Sequence, residues 1–195
     1  RAGKITLDEL YEIENASCPG AGACGGQFTA NTMSTVLEFM GLSPAGFNGV
    51  PAEDPLKDEV AERTGEIVMD LVRHDRRPSA IVDRRSIEHA IASISATGGS
   101  TNGVLHMLAI AREFGIPLSI DEFGEVADRT PIVADMMPGG RFAASDMYDA
   151  GGVALVMGGT SLGRIQGLGK RMPLTSFGIV LCGLSLIGVP GTAGF

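Results

Sequence analysis

Cys24 stands in Gly22-Ala23-Cys24-Gly25-Gly26, a few residues ahead of a stretch whose apolar residues recur at helical steps. A helix N-terminus offers free N–H groups and a positive dipole end, and both favour a thiolate. A thiolate is a ligand for iron or zinc, and the glycines let backbone approach a bulky cofactor and donate to its sulfurs. The other reading is that Cys18 and Cys24 are small buried hydrophobes. Two thiols do not hold a metal alone, their spacing is not that of a short zinc knuckle, and Cys182 has no clear partner. His74, His89 and His106 are spread along predicted helices and form no ligand pair, so a role without chemistry is expected for each. A second loop, Gly98-Gly99-Ser100-Thr101-Asn102, precedes another helical pattern. Its small polar residues could receive a carboxylate at a helix start. They could equally cap that helix, with the glycines allowing close packing. No Lys follows the glycines, so it is not a phosphate loop.

The elements that must position these residues are mostly helices. Thr6 to Glu14 reads as a short amphipathic helix with Leu7, Leu10, Tyr11 and Ile13 near one face. Cys18 to Gly26 is loop. Thr29 to Met40 is predicted helical, with Ala30, Met33, Leu37 and Met40 in step, Val36 and Phe39 widening the stripe, and Gly41 as the stop. Asp54-Pro55 opens a helix to about Arg73 that should bury Val60, Ile67, Val68, Leu71 and Val72. Ser86 opens the next, through Ile87, Ala90, Ile91 and Ile94, which breaks at Gly98-Gly99. Ser100, Thr101 or Asn102 recaps a helix from Gly103 to Phe114. Short strands are expected at Ile116–Ile120 and Ile132–Ala134, a short helix at Asp121–Asp128, and a turn capped by Ser145 before Gly151-Gly152. The expected class is helix-rich α/β.

Composition bounds the function. The chain of 195 residues has 15 Lys+Arg against 23 Asp+Glu, for a net charge of −8. Such a chain has no spare cations for binding nucleic acid through bulk charge. With 44% hydrophobic residues it is a folding sequence, and three Cys make no disulfide scaffold. The 28 glycines lie in clusters without a period, which marks tight turns. From Gly158 onward acids nearly vanish. Leu174–Val189 carries no charge, but Gly and Ser interrupt it and it is short of the ~20 residues that span a bilayer. A buried strand–turn–strand or a foreign tail suits it better than a membrane span.

The stretch Cys18-Pro19-Gly20-Ala21-Gly22-Ala23-Cys24-Gly25-Gly26-Gln27-Phe28-Thr29-Ala30-Asn31-Thr32-Met33 resembles the cysteine motif of the dihydroxy-acid dehydratases, a family that also includes 6-phosphogluconate and sugar-acid dehydratases. Ala96-Thr97-Gly98-Gly99-Ser100-Thr101-Asn102 with Val104-Leu105-His106 is similar to the same family. So is Thr130-Pro131-Ile132-Val133-Ala134-Asp135 running on to Gly139-Gly140-Arg141. The three motifs keep the family's order, over roughly residues 1 to 157.

The resemblance implies a central fragment of an N-terminal domain of three layers, a short parallel sheet flanked by helices. It implies a cytoplasmic hydro-lyase that converts 2,3-dihydroxy acids to 2-keto acids in isoleucine and valine synthesis, homodimeric at full length. It implies an iron–sulfur cluster, 2Fe–2S in preference to 4Fe–4S, and Mg2+ with its ligands outside this chain. Cys24 is the one matched cluster ligand, and Cys18 is not carried over. Ser100, Thr101 and Asn102 are candidates for substrate binding. The family's Cys-Asp-Lys motif is expected upstream of Arg1, and the serine proposed as base in a C-terminal domain. No catalytic residue is therefore assigned, and the chain alone is expected to be inactive. The alternatives are a sugar-acid dehydratase with the same chemistry and an inactive truncated chain. Residues 1–157 are read as the dehydratase segment and 158–195 as a divergent tail. Limited proteolysis should accordingly cut first between Met157 and Arg171 and leave a stable N-terminal core. Protection of the whole tail would contradict that division.

Overall fold

A computed structural model describes residues 3–17 and 24–156. Cys18, Cys182 and the expected boundary after Met157, with the tail beyond it, lie outside the described residues. The regular elements of the described chain are all helices. It runs α1 (Leu7–Ala16), α2 (Thr29–Phe39), α3 (Leu56–Arg73), a 3-10 turn (Pro78–Ala80), α4 (Arg84–Ala96), α5 (Asn102–Glu113), α6 (Ile120–Asp128), α7 (Ala144–Asp149) and α8 (Gly152–Val156).

The helix starts follow local side-chain chemistry. Thr6, Asp83 and Ser119 each accept a hydrogen bond from the backbone N–H three residues on, and the side chain there returns one to the cap's own N–H. These bonds hold Glu9, Asp83 and Glu122 below the usual carboxylate range. Asp83 opens α4 three residues ahead of the expected Ser86: Asp83 stands in extended backbone and accepts from the Ser86 N–H, so Ser86 serves as the third helical residue of the capping box. In α3 the N-cap is Pro55, one residue later than the expected Asp54, whose Oδ1 accepts from the Leu56 N–H at 2.8 Å. Ser145 does not cap α7 but lies in its first turn. There Asp146 accepts from the Ala143 N–H at 2.7 Å.

Among the described residues there is no strand, and the two expected strands are corrections. At Ile116–Ile120, the Ile116 N–H closes the end of α5 on the Ala111 carbonyl, and the Ser119 cap draws Ile120 into α6. At Ile132–Ala134, the Val133 and Ala134 N–H groups both donate to the Ala96 carbonyl at 2.7 and 3.0 Å. They close the end of α4 rather than a ladder. One isolated parallel bridge, Met136 to Phe142, is the only sheet-like pairing among the described residues.

The core forms around α4, which packs against α2, α5 and α6. Val36, Met40, Ile87, Ala90, Ile91, Ile94, Met107, Ala111, Phe123 and Val126 fill it. An ion-paired Arg84 straps α4 to α6, reaching Glu88, Glu122 and the Pro117 carbonyl.

The expected burial of α3 is not found. Val68 and Val72 are exposed, Val60, Ile67 and Leu71 are half-buried, and no residue of the helix is buried. The apolar spacing forms the helix, but no described element packs on that face. In α1, Leu7, Leu10, Tyr11 and Ile13 are all exposed for the same reason.

This contrast sets a stability test. Ile91 is fully buried and Val72 is 69% exposed. Ile91→Ala should lower unfolding free energy by about 2–5 kcal/mol, and Val72→Ser should change it by no more than about 0.5 kcal/mol. Urea denaturation of both variants measures the difference.

Candidate functional site

The first turn of α2 gathers all three motifs. Cys24 is a partly exposed free thiol in irregular chain, followed by a bend through Gly25, Gly26 and Gln27. Phe28 is the N-cap and the helix starts at Thr29, so Cys24 sits at the expected loop-to-helix junction. The Gly26–Gln27 backbone lies directly on the third motif. The Gln27 N–H donates to the Met137 carbonyl at 2.6 Å. A Cβ on Gly26 would run into that same carbonyl. The loop is kept in shape from within the helix, where Asn31 Nδ2 donates to the Gly26 carbonyl at 2.8 Å.

Gln27 is 1% exposed and reaches inward. Its Nε2 donates to Thr35 Oγ1 at 3.2 Å and to Thr97 Oγ1 at 3.1 Å. Thr97 commits its own proton to the Ser93 carbonyl, so its oxygen must accept from Gln27. The first motif is thereby joined to the second inside the core.

The Gly98–Asn102 loop returns to the same turn. Gly98 has φ +58, which turns the chain out of α4 at the expected break. Gly99 then passes so close to Thr32 that a Cβ would meet its Cγ2 at 3.0 Å. The Ser100 N–H donates to Thr32 Oγ1 at 2.9 Å, and Thr32 Oγ1 donates to the Gln27 carbonyl at 3.1 Å. Ser100 Oγ lies 3.2 Å from Thr29 Oγ1 and accepts from the Asn102 N–H. Asn102 Nδ2 donates to Thr29 Oγ1 at 2.8 Å. The starts of α2 and α5 therefore meet, and both positive dipole ends converge there.

The third motif is a tight turn. The Met137 N–H donates to the Phe142 carbonyl at 2.8 Å, and the Phe142 N–H to the Asp135 carbonyl at 3.0 Å. Arg141 Nε pairs with Asp135 Oδ2 at 2.6 Å and its guanidinium lies over the Phe142 ring. The turn is braced on both sides of the carbonyl that receives Gln27.

Of the residues singled out from sequence, Ser100 and Asn102 are engaged in this scaffold, and the Thr101 side chain is exposed. His74 bonds back to Asp70 at the end of α3, while His89 and His106 are exposed. Among the described residues no group of three His, Cys, Asp or Glu could hold a metal. Cys24 is the one free thiol among the described residues.

Sequence reasoning missed the buried polar residues Gln27, Thr32, Thr97 and Glu38. The signal was the spacing of Thr29, Thr32 and Thr35, three threonines on one side of α2. Glu38 is 2% exposed, at the far end of the same helix. Its carboxylate accepts from the Gly46 and Asn48 N–H groups at 2.7 and 2.8 Å. Burial pushes its pKa above the usual value, against the pull of those two bonds. It borders an open cleft lined also by Asn31, Ser34, Met147 and Tyr148.

Residues 1–167 match the family described as Dihydroxy-acid/6-phosphogluconate dehydratase N-terminal. The chain belongs to this family. It is 54% identical over 155 residues to a dihydroxy-acid dehydratase of Roseiflexus sp. (strain RS-1), a span of 80% of this chain and 28% of that protein. A dihydroxy-acid dehydratase of Koribacter versatilis (strain Ellin345) is 56% identical over 154 residues, 79% of this chain and 27% of that protein. One from Thermus thermophilus is 50% identical over 155 residues, 80% of this chain and 28% of that protein. The chain therefore spans under a third of the length of these relatives. The dehydratase motifs that lie apart along the chain are the ones folded together at the α2 start.

Glu38 generates the test here. Because its folded pKa is raised above the ordinary 4.5, the folded state holds more protons than the unfolded one between the two values. Its contribution to stability is therefore greatest below 4.5 and is lost as pH rises through the folded pKa. Glu38→Gln puts an amide NH2 against one of two backbone donors and should destabilise by about 1–3 kcal/mol at pH 7. The deficit should widen as pH falls through the raised pKa. Urea melts of both forms across that pH range measure it.

Proposed function

We propose that this chain is a segment of the N-terminal domain of a dihydroxy-acid dehydratase acting in branched-chain amino-acid synthesis. The whole protein would remove water from a 2,3-dihydroxy carboxylic acid: the C2 proton and the C3 hydroxyl leave, and the resulting enol becomes a 2-keto acid. The observation that carries this reading is the convergence of three dehydratase motifs on one helix start, with a free, partly exposed Cys24 beside it. Relatives named dihydroxy-acid dehydratase support it over the sugar-acid alternative.

In this reading Cys24 donates one thiolate to an iron–sulfur cluster, of the 2Fe–2S type. When bound, the cluster would supply a Lewis-acid iron for the departing hydroxyl, and Mg2+ would supply charge for the enolate. This chain's own part is positional. The α2 start holds Cys24, and the Ser100–Asn102 loop receives the substrate carboxylate where two helix N-termini meet. Ser100 and Asn102 fix the loop through Thr29 and Thr32, which leaves the exposed Thr101 to face the substrate. The remaining cluster and magnesium ligands and the base belong to other parts of the protein, as does the parallel sheet of its three-layer domain. No helix among the described residues is long and apolar enough to cross a membrane. From the family resemblance we infer a cytoplasmic homodimer for the whole protein.

The full-length protein, reconstituted anaerobically, should convert a branched 2,3-dihydroxy acid to its keto acid and contain iron and sulfide. Cys24→Ser should lower iron content and reduce keto-acid formation by about 100-fold or more. The 195-residue chain alone should retain no stoichiometric cluster after the same treatment. A full-length Cys24→Ser protein with unchanged iron content and rate would refute the ligand assignment.

A further inference from the structure

We propose that Thr32 is the positioning residue that sets the Cys24 loop against the Gly98–Asn102 loop. Thr32 is 1% exposed and its single hydroxyl serves both loops at once. It donates to the Gln27 carbonyl, which ends the Cys24 bend, and accepts from the Ser100 N–H. A hydroxyl has one proton to give and lone pairs to receive, so no other small side chain fills both roles except serine. The bond to Gln27 reaches back five residues, beyond the helix's own ladder, in which the Thr32 N–H pairs with the Phe28 carbonyl. It is therefore a constraint added to the helix rather than part of it.

The methyl group completes the arrangement. Thr32 Cγ2 lies where Cβ atoms on Gly99 and Gly103 would come to 3.0 and 3.3 Å. The second loop can approach the hydroxyl only because both positions are glycine. Removing the hydroxyl leaves a buried carbonyl and a part-buried N–H without their partner, and each loop is then free to find another. The bends on either side of α2 would shift relative to one another, and the Cys24 thiol with them. This bears on cluster binding only through the reading of Cys24 as a ligand, whereas the positioning itself is a property of the chain without any cofactor.

The test uses the full chain with Cys18→Ser and Cys182→Ser, so that Cys24 is the only thiol. The rate of its alkylation by iodoacetamide is followed against pH in four further variants. Thr32→Val keeps the shape and removes the hydroxyl, and should change the rate or its pH midpoint by about threefold or more. Thr32→Ser keeps the hydroxyl and should stay within about twofold of the parent. Gly99→Ala leaves Thr32 intact but wedges the second loop off it, and should move the rate in the same direction as Thr32→Val. Ile87→Val, a core change away from both loops, should leave the profile unaltered. Parent-like rates for both Thr32→Val and Gly99→Ala overturn the proposal, as does a loss in Thr32→Ser equal to that in Thr32→Val. Should Thr32→Val fail to fold by circular dichroism, Gly99→Ala set against Thr32→Ser decides the matter in the same way. Absence of iron from the reconstituted full-length parent would sink the cluster reading alone, because the alkylation comparison needs no cluster.

Discussion

The candidate site depends on hydrogen bonds that the Gln27 and Thr32 side chains close inside the core. The Gln27 amide, the Thr32 and Thr97 hydroxyls and the carbonyls they meet are buried, so losing one partner leaves another group unsatisfied at a cost of about 1–3 kcal/mol. No buried side-chain nitrogen or oxygen among the described residues lacks a partner. Such a network is satisfied in one arrangement, which makes loops rich in glycine behave as a rigid frame. Gly26, Gly99 and Gly140 belong to that frame, since a Cβ on each would strike Met137, Thr32 or Asp135. Glycine serves here for close approach more than for flexibility.

That constraint explains why the site was legible only in outline. Cys24 and the Gly98–Asn102 loop stand out because glycine clusters interrupt helical periodicity, and the structure places both at helix starts. What joins them is not a local pattern. Gln27 finds Thr97 across seventy positions of chain, and Thr32 finds Ser100 across nearly as many. A polar residue on a helix face that alternates with apolar ones reads as solvent-facing. Thr32 and Thr35 look like that in the sequence, and only tertiary contact turns their face inward.

Helices were legible to within a few residues because caps are local chemistry. The strands were not, for a related reason. Ile116–Ile120 and Ile132–Ala134 have the composition of short strands, but a strand needs a partner edge. In this chain the backbone donors nearby are taken by carbonyls at the ends of α5 and α4. An unpaired helix C-terminus competes for the same N–H groups, and no strand edge among the described residues faces them.

The same reasoning applies to α1 and α3. Their apolar spacing is as regular as that of α4, yet α4 is buried and they are not. Periodicity reports which face of a helix is built to be covered. It does not say whether the cover is supplied by residues near it in this sequence. For α4 the cover comes from α5 and α6, which follow it closely along the chain, and from α2, which the buried Gln27–Thr97 bond brings close. The polar contact and the apolar packing are thus the same event seen from two sides. Docking α2 on α4 buries Val36 and Ile91 and satisfies Gln27 in one and the same register, and that register brings the α2 start to the second loop.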